Sequence, residues 1–308
     1  MAAQAHWSQG APLTTPIPTA VELRERERER LLALLDASLA EIDALVPLDE
    51  ARFLETHALY EGRSDQRQRI IEWFAREITP ARRRDRPFQM LSVGCGSGLL
   101  DLPILQGLSS RSAEVHYVGV NPNRVECAAF ERLFRETAPQ GVSVELVPAT
   151  FEAFQTDLVF DHIYFVHSLY YMPDPAAALE KARKSLAPGG RLIVFHAPCE
   201  ALNDLAELFW KKEHSRPTLF AEGFAKLLDR WGWNYQQSRV EGAVEVTPLL
   251  EGDTDAGLAL RDFIIQFDGR SLPASVQEQV ARYLRLVAFE HQGRNFISHP
   301  VDVFSIAG

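Results

Sequence analysis

Three glycines spaced two residues apart form the part of the chain whose residue types most clearly suggest ligand binding. Gly94, Gly96 and Gly98 follow one apolar run and precede a second, so the spacing predicts a strand at residues 89–93, a turn and then a helix. A turn without Cβ atoms lets the backbone come within contact distance of a ligand. The helix that follows offers unpaired N–H groups in its first turn. This arrangement predicts a turn that binds a nucleotide or a nucleoside.

The spacing of these glycines separates them from two other glycine-rich motifs. No Gly-Lys-Ser/Thr sequence follows them, which disfavours a phosphate-binding loop. They also depart from Gly-x-Gly-x-x-Gly, which disfavours a nicotinamide-dependent oxidoreductase. Glycine turns of this kind also join strands to helices where nothing binds. The interpretation therefore depends on residues further along the chain.

An alternation of predicted strands and helices begins near Phe88, and these elements must position the glycine turn and the other candidate site residues. Further strands are predicted at residues 115–120, 142–147, 161–166 and 191–195, with helices at residues 125–137 and 175–186. This alternation is typical of a parallel sheet with crossover helices, and we predict an α/β fold with a doubly wound, Rossmann-like sheet. Ligands of such sheets bind beyond the carboxyl ends of the strands. The residues that directly follow each strand are therefore the candidates for a site.

The chain outside this alternation is mainly helical by its pattern. Residues 1–45 comprise a flexible tail and a helix in which Arg and Glu alternate, and the leucines of this helix need a partner in the same chain or in another subunit. Residues 46–197 place two helices before the alternation. Residues 198–308 are predicted to form a mainly helical lid over the substrate, with one long or bent strand at residues 235–246 and a last strand at residues 300–306.

The composition disfavours several classes of protein. The formal net charge of −10 opposes a nucleic-acid backbone, and no apolar stretch approaches the ~20 residues that span a membrane. Three cysteines without a Cys-x-x-Cys spacing favour neither a disulfide framework nor a metal site. The N-terminal residues lack the basic start and apolar run of a secretion signal. We therefore expect a cytoplasmic protein that acts on a small molecule, without nucleic-acid or membrane partners and without a metal.

Three local sequences together resemble the class I S-adenosylmethionine-dependent methyltransferases. They are the glycine loop, Asp161 in the fourth strand, and Ala-Pro-Gly-Gly-Arg-Leu-Ile-Val at residues 187–194. Residues 50–308 are also similar to the histamine N-methyltransferase family. That narrower resemblance rests on Ser92 in place of the usual acid, Asp-Leu-Pro-Ile-Leu at residues 101–105, Leu-Tyr-Tyr at residues 169–171 and Trp-Lys-Lys at residues 210–212.

The resemblance implies a set of residues that bind S-adenosyl-L-methionine. They are Gly94, Gly96, Gly98, Asn121, Glu126, Thr150, Phe151 and Val166. The acid that holds the ribose hydroxyls in the family is Asn121 here, and an amide forms weaker hydrogen bonds than a carboxylate does. Glu126, five residues further on, is the candidate to compensate. Because of this change, a non-catalytic module that binds S-adenosylmethionine or S-adenosylhomocysteine is an alternative to an enzyme.

The resemblance also implies an acceptor site, whose residues differ from those of the family. The candidates are Tyr60, Gln66, His167, Tyr171 and His299. Gln66 stands where the family has a glutamate, His167 where it has a glutamine, and His299 where it has an asparagine. His167 is the candidate catalytic residue. It could act as a general base, orient the substrate as a hydrogen-bond donor, or cap a neighbouring carbonyl.

These residues predict in-line transfer of a methyl group to a nitrogen or an oxygen of a small molecule. The resemblance implies N-methylation of an amine or an imidazole-like acceptor, and we favour nitrogen. The missing acid in the acceptor site suggests O-methylation of a carboxylate or a phenol in secondary metabolism as the alternative. The Arg/Glu helix within residues 1–45 is also a candidate surface for a homodimer.

Overall fold

The described part of the chain contains ten strands and eleven α-helices. The computed structural model describes residues 20–78, 86–111, 114–214, 218–252 and 254–308. The strands are β1 Phe88–Val93, β2 Val115–Val120, β3 Val142–Val147, β4 Phe160–Val166, β5 Leu186–His196, β6 Tyr235–Val240, β7 Ala243–Glu245, β8 Phe289–His291, β9 Arg294–Ser298 and β10 Val301–Ala307. The helices are α1 Ala20–Ala40, α2 Glu50–Glu61, α3 Gln66–Glu77, α4 Asp101–Ser109, α5 Arg124–Thr137, α6 Pro175–Lys184, α7 Leu202–His214, α8 Ala221–Trp231, α9 Thr247–Leu250, α10 Asp255–Ile265 and α11 Ala274–Val287. None of these described helices combines the length and the apolar character needed to cross a membrane.

Seven strands form one sheet in the order β3-β2-β1-β4-β5-β10-β6. The first five strands pair in parallel, whereas β10 runs antiparallel to both β5 and β6. The chain proceeds outward from β1 to β3 and then returns to place β4 on the other side of β1. This reversal confirms the predicted doubly wound α/β fold. It also opens a crevice at the carboxyl ends of β1 and β4, where ligands of such sheets bind.

The central strands are apolar on both faces because helices cover both sides of the sheet. On one face, Met90, Tyr164 and Phe195 pack with residues of α3 and α4. On the other face, Leu91 and Ile163 pack with residues of α6 and α8. Two cores therefore hold the sheet between them, and the carboxyl ends of its strands are fixed in position.

A third core lies among helices from the N-terminal and C-terminal parts of the described chain. It contains residues of α1, α2, α7, α10 and α11 and of a small sheet with the order β7-β9-β8. Leu31, Leu35 and Leu39 of α1 are buried in this core, and α1 contacts α7 and α11. The leucines of the Arg/Glu helix therefore have a partner within the chain, and a homodimer through this helix stays a prediction. The tail predicted before α1 falls in residues 1–19, outside the described residues.

The region after α8 differs from the prediction. The single strand expected at residues 235–246 is two strands, β6 in the main sheet and β7 in the small sheet. The chain changes sheets at Gly242, where a Cβ atom would lie 2.8 Å from the carbonyl oxygen of His299. The hairpin of β8 and β9, which the sequence did not predict, supplies the partner for β7. The expected bend is therefore a change of pairing partner.

Candidate active site

The glycine loop between β1 and α4 has a left-handed backbone at each glycine. Gly94, Gly96 and Gly98 have φ angles of +84°, +55° and +81°, a region that L-residues rarely adopt. A Cβ at Gly94 would lie 2.5 Å from Cβ of Ser168, and one at Gly98 would lie 2.2 Å from the ring of Phe130. A Cβ at Gly96 would meet no atom of the described residues within 4 Å. Two of the glycines therefore permit close packing within the protein, whereas Gly96 has open space beside it in the described part of the chain.

A buried carboxylate holds the helix that follows this loop. Asp101, the first residue of α4, accepts hydrogen bonds from the hydroxyls of Tyr117 (2.7 Å) and Tyr164 (2.6 Å). Burial raises the pKa of Asp101, and these hydrogen bonds oppose that increase. The sequence gives no local signal for the two tyrosines, because they come from β2 and β4. Asp101 is only 2% exposed, so it contacts the protein rather than a ligand and fixes the start of α4, directly after the glycine loop.

A polar pair, Asn121 and Glu126, lies at the carboxyl end of β2. The Nδ2 atom of Asn121 donates to Oε2 of Glu126 over 2.7 Å, and its Oδ1 accepts from the backbone N–H of Asn123. Asn121 is buried, whereas Glu126 is half-buried in the first turn of α5. The amide of Asn121 therefore holds the carboxylate of Glu126 at the end of β2, where the residue that follows the strand is not itself an acid. Glu126, the residue predicted to compensate for Asn121, therefore lies in direct contact with it.

The other predicted cofactor residues lie at the carboxyl ends of β3 and β4. Thr150 is exposed, and its hydroxyl accepts from the backbone N–H of Ala153. Val166 is half-buried at the last position of β4. Phe151 is only 3% exposed, and its ring packs against that of Phe165. The ring of Phe151 is therefore part of the core, which leaves Thr150 and Val166 as the more accessible of these residues.

These features fit a cofactor that contains a nucleoside. The open space at Gly96 leaves room for a ligand against the backbone of the loop. The carboxylate of Glu126, held by Asn121, can accept charge-assisted hydrogen bonds from neighbouring hydroxyls. Both features lie at the carboxyl edge of the parallel strands, beside the reversal in strand order. The residues present therefore fit S-adenosylmethionine, which the glycine loop and Glu126 would hold.

Residues from three distant segments form a hydrogen-bonded group that we call the Gln66 cluster: Tyr60, Gln66, His167 and His299. The Oε1 atom of Gln66 lies 2.8 Å from Nε2 of His167. The Nε2 atom of Gln66 donates to the carbonyl oxygen of His299 over 2.8 Å. The Nδ1 atom of His299 lies 3.2 Å from the hydroxyl of Tyr60. The structure thus brings together four of the five residues that were predicted for the acceptor site.

The start of α3 and the chain crossing at Gly242 place the Gln66 cluster. The backbone N–H of Gln66 donates to Oγ of Ser64, and the carboxylate of Asp65 accepts from the N–H of Ala243. The N–H of His299 donates to the carbonyl oxygen of Gly242 over 2.7 Å. These contacts tie the start of α3 to β7 and tie the segment before β10 to the crossing at Gly242. The side chains of the cluster therefore have a rigid support.

The Gln66 cluster is uncharged at neutral pH. Burial lowers the pKa of His167 to about 4 and the pKa of His299 to about 3. Burial also raises the pKa of the Tyr60 hydroxyl. Each of these shifts opposes the charged form of its group. The described residues include no group of three or more His, Cys, Asp or Glu side chains arranged to hold a metal ion.

Ser168 links the Gln66 cluster to the glycine loop. Ser168 directly follows His167, and its hydroxyl donates to the carbonyl oxygen of Val93 over 2.5 Å. Ser168 is also the residue against which Gly94 packs. His167 itself has a φ angle of +50°, a conformation that costs free energy and is concentrated at functional sites. The candidate catalytic residue is therefore held next to the predicted cofactor loop.

Sequence reasoning missed a third histidine, His196 at the end of β5. It is 0% exposed and stacks on Tyr170 with the ring centroids 4.2 Å apart. Its Nε2 atom donates to the carbonyl oxygen of Leu219 over 2.6 Å, and burial lowers its pKa to about 3. Its place after a strand was the available signal. Tyr171, the fifth residue predicted for the acceptor site, is 81% exposed and takes no part in the hydrogen bonds of the Gln66 cluster.

A family model described as a methyltransferase domain matches residues 63–238, more than half of the chain. The matched segment runs from the loop before α3 into β6 and contains the glycine loop, Gln66 and His167. It leaves out Tyr60 and His299. The match therefore covers the cofactor side completely and the acceptor side in part.

Two relatives and one solved structure illustrate the range of similarity. Histamine N-methyltransferase A of Xenopus laevis is 25% identical over 256 residues, which are 75% of this chain and 86% of that protein. The ubiquinone biosynthesis O-methyltransferase of Xylella fastidiosa (strain 9a5c) is 31% identical over 108 residues, which are 34% of this chain and 40% of that protein. The structure of a plantazolicin methyltransferase in complex with SAH is 11% identical, covers 93% of this chain and 99% of its own, and has a TM-score of 0.47.

Proposed function

We propose that this chain methylates a neutral nitrogen of a small molecule. The chain belongs to the methyltransferase domain family and is an S-adenosylmethionine-dependent methyltransferase. The acceptor is an amine or an imidazole-like ring. The observation that carries the proposal is the uncharged Gln66 cluster, held one residue from the glycine loop. A protonated amine has no lone pair with which to attack a methyl group. A site that opposes charge therefore selects the form of the acceptor that reacts.

The carboxylates next to this cluster in sequence support a neutral acceptor. Glu61 forms an ion pair with Arg67, and Asp65 forms one with Arg69 at 3.1 Å. Asp65 also accepts a hydrogen bond from the N–H of Ala243. A cationic acceptor would have to displace these partners before it could pair with either acid. The site therefore offers hydrogen bonds to the acceptor rather than an ion pair.

The division of labour between the two sides of the site follows from their positions. S-adenosylmethionine, when bound, supplies a methyl group made electrophilic by the positive sulfur. The glycine loop and Glu126 hold this molecule through backbone contact and hydrogen bonds to hydroxyls. The Gln66 cluster orients the acceptor, and alignment of the two reactants is the chief source of rate in such a displacement. Burial of the cluster keeps competing water away from the reacting groups.

His167 is the residue that accepts a hydrogen bond from the acceptor nitrogen. When that nitrogen forms its new bond to carbon, it gains positive charge and its N–H becomes acidic. Neutral His167 accepts a hydrogen bond from this N–H, which orients the lone pair and stabilises the positive charge that develops on the nitrogen. Because burial lowers the pKa of His167 to about 4, the proton stays on the methylated nitrogen and leaves with the product.

A phenol is the second candidate acceptor, and the same neutral histidine favours it. A phenol must lose its proton during methyl transfer, and His167 can accept that proton. The Xylella fastidiosa relative is named an O-methyltransferase, although its similarity extends over 108 residues. A carboxylate acceptor is less favoured, since the side-chain hydrogen bonds of the Gln66 cluster involve no described lysine or arginine. Nitrogen remains the first proposal.

The proposal is tested by identifying the acceptor directly. The full chain is incubated with methyl-labelled S-adenosylmethionine and a panel of amines, imidazoles, phenols and carboxylic acids, and mass spectrometry shows which compounds acquire the label. We expect label on the amines or imidazoles, with fragmentation that places the methyl group on nitrogen. Label on phenols or carboxylic acids alone would overturn the proposal. A reaction without protein provides the control for non-enzymatic methylation.

A further inference from the structure

We propose that Gln66 is a positioning residue that fixes His167 in one tautomer, with the hydrogen on Nε2 and the lone pair on Nδ1. The inference deepens the proposed function, on which its catalytic consequence rests. If His167 accepts a hydrogen bond from the acceptor nitrogen, Nδ1 is the atom that does so. The amide of Gln66 lies between two backbone carbonyls and the ring of His167, and this juxtaposition carries the inference.

Two carbonyl oxygens determine the orientation of the Gln66 amide. The Nε2 atom of Gln66 lies 2.8 Å from the carbonyl oxygen of His299 and 3.4 Å from that of Pro300. Carbonyl oxygens only accept hydrogen bonds, so the NH₂ group must face them. The reversed amide would place its own oxygen against both carbonyls. The Oε1 atom of Gln66 must therefore face His167.

The orientation of the amide determines the tautomer of the histidine. The Oε1 atom of Gln66 only accepts hydrogen bonds and lies 2.8 Å from Nε2 of His167, so Nε2 must carry a hydrogen. Burial keeps the ring neutral, and a neutral imidazole carries a single N–H. The Nδ1 atom is consequently the unprotonated nitrogen, which can accept a hydrogen bond or a proton.

The same contacts change the expected role of Gln66 itself. Gln66 is only 6% exposed, and both polar atoms of its side chain are engaged within the protein. An acceptor molecule in the site therefore meets His167 rather than the amide. Gln66 acts through His167, as a partner that holds a catalytic imidazole in one tautomer and one orientation.

The titratable groups around His167 leave this tautomer undisturbed. His299 precedes β10, His196 ends β5, and the ring of Tyr170 stacks on that of His167. Burial lowers the pKa values of His299 and His196 to about 3, so both are neutral. Burial also raises the pKa of Tyr170. No charge from these three groups competes with Gln66 for the ring.

Nitrogen NMR of the full chain labelled with ¹⁵N-histidine tests the tautomer without any turnover. The His167 signals are assigned by their absence from the spectrum of His167→Gln. We expect Nε2 of His167 to resonate as a protonated nitrogen and Nδ1 as an unprotonated nitrogen at pH 7. A hydrogen on Nδ1, or on both nitrogens at that pH, would overturn the inference.

Two substitutions at Gln66 separate positioning from a merely structural role. Gln66→Leu removes the oxygen that accepts the hydrogen bond from His167, so we expect a mixture of His167 tautomers. The kcat should be about 10- to 100-fold lower, the cost typical of removing a group that orients a histidine, and KM should change little. Gln66→Glu supplies a carboxylate oxygen as the hydrogen-bond acceptor, and its negative charge raises the pKa of His167. The Nε2–H tautomer should return, and the rising limb of the pH–kcat profile should move to higher pH, because His167 acts in its neutral form.

Gln68→Leu is the matched control, since Gln68 lies on the exposed face of the same helix and bonds only to Glu72 among the described contacts. We expect its His167 spectrum and its kcat to equal those of the parent chain. A His167 spectrum that is the same in Gln66→Leu as in the parent would overturn the inference, whatever the activity. A chain that methylates oxygen alone, yet shows an unprotonated Nδ1, would overturn the proposed acceptor and support the positioning role.

Discussion

The cofactor side and the acceptor side of the site are assembled in different ways. The cofactor side is local in sequence, because the glycine loop, Asn121 and Glu126 follow one another within two βα units. The acceptor side joins Tyr60 and Gln66 to His167 and His299 across most of the chain. A local motif can identify the methyl donor from the sequence, whereas the acceptor depends on contacts that only the folded chain creates.

The two sides also differ in charge. The cofactor side presents the carboxylate of Glu126, which suits hydroxyl donors and a cationic ligand. The acceptor side presents neutral imidazoles, an amide and a hydroxyl. Under the proposed function, this difference lets one site bind a charged methyl donor next to a neutral acceptor. Substitutions on one side should therefore affect a different measured quantity from substitutions on the other.

The largest expected effect is on the acceptor side, at His167. His167→Gln should lower kcat by about 10²- to 10³-fold, the cost typical of removing a group that stabilises the charge of a transition state. The dissociation constant for S-adenosylhomocysteine, measured by titration calorimetry, should stay within about twofold, because that ligand is held on the other side. His116→Gln, on β2 and hydrogen-bonded to Ser143, is the control. An unchanged kcat in His167→Gln would remove the distinction between the two sides.

The next effect concerns the cofactor loop, where Gly94→Ala and Gly96→Ala are compared by their free energies of unfolding. Each alanine variant adopts a left-handed backbone, which costs roughly 1–2 kcal/mol of unfolding free energy. Gly94→Ala also forces a Cβ to 2.5 Å from Ser168, and such overpacking adds about 1–3 kcal/mol. Urea unfolding should therefore show a larger loss for Gly94→Ala. Gly96→Ala should instead weaken binding of S-adenosylhomocysteine, since its methyl group enters the open space. Equal losses of stability would show that Gly94 is not packed against Ser168.

A smaller effect is expected at Glu126, the proposed ribose-binding acid. Glu126→Gln replaces charge-assisted hydrogen bonds with neutral ones. The dissociation constant for S-adenosylhomocysteine should therefore rise about tenfold, which is a loss of ~1.4 kcal/mol of binding free energy. The kcat at saturating S-adenosylmethionine should change little. Glu131→Gln is the matched control, because Glu131 lies on the same helix in an exposed ion pair with Arg135. If both variants bind equally well, Glu126 does not compensate for Asn121.

The smallest effect concerns the pH dependence of stability on the acceptor side. The pKa of His299 is about 3 in the folded chain, against about 6.5 when unfolded. Between these values the unfolded chain binds more protons, so the stability contributed by the neutral form is present above pH 6.5 and is lost as the pH falls. The loss of unfolding free energy between pH 7 and pH 5 should be smaller in His299→Asn by on the order of 1 kcal/mol. An equal loss in both proteins would mean that His299 titrates normally in the fold.

Much of the cofactor side was predictable from the sequence because its parts are local. The strands and glycines follow from apolar runs and turn residues within short windows, and the reversal in strand order confirms the predicted sheet. The role of Gly94 was not predictable. Its missing Cβ makes room for Ser168, which lies more than 70 residues away in the chain and becomes a neighbour only when β1 and β4 pair.

The sequence predicted that the four residues of the Gln66 cluster would lie together, but it also included the exposed Tyr171 and did not predict the hydrogen bonds. A family resemblance pointed to Gln66, His167 and His299, but not to the amide that connects them. That connection depends on Gly242, where the chain leaves one sheet for the other and brings His299 beside α3. Alternating patterns do not record such a change of partner, which is why residues 235–246 were predicted as a single strand.

The most direct test of the neutral acceptor site is the pH dependence of KM for a weakly basic amine or imidazole that the panel identifies as a substrate. Initial rates are measured across the pKa of that acceptor, at saturating S-adenosylmethionine. We predict that KM falls as the pH rises through the acceptor's own pKa, in proportion to its neutral fraction, while the product carries its methyl group on nitrogen. A KM that is lower below that pKa would mean that the site binds the cation, and it would contradict the account.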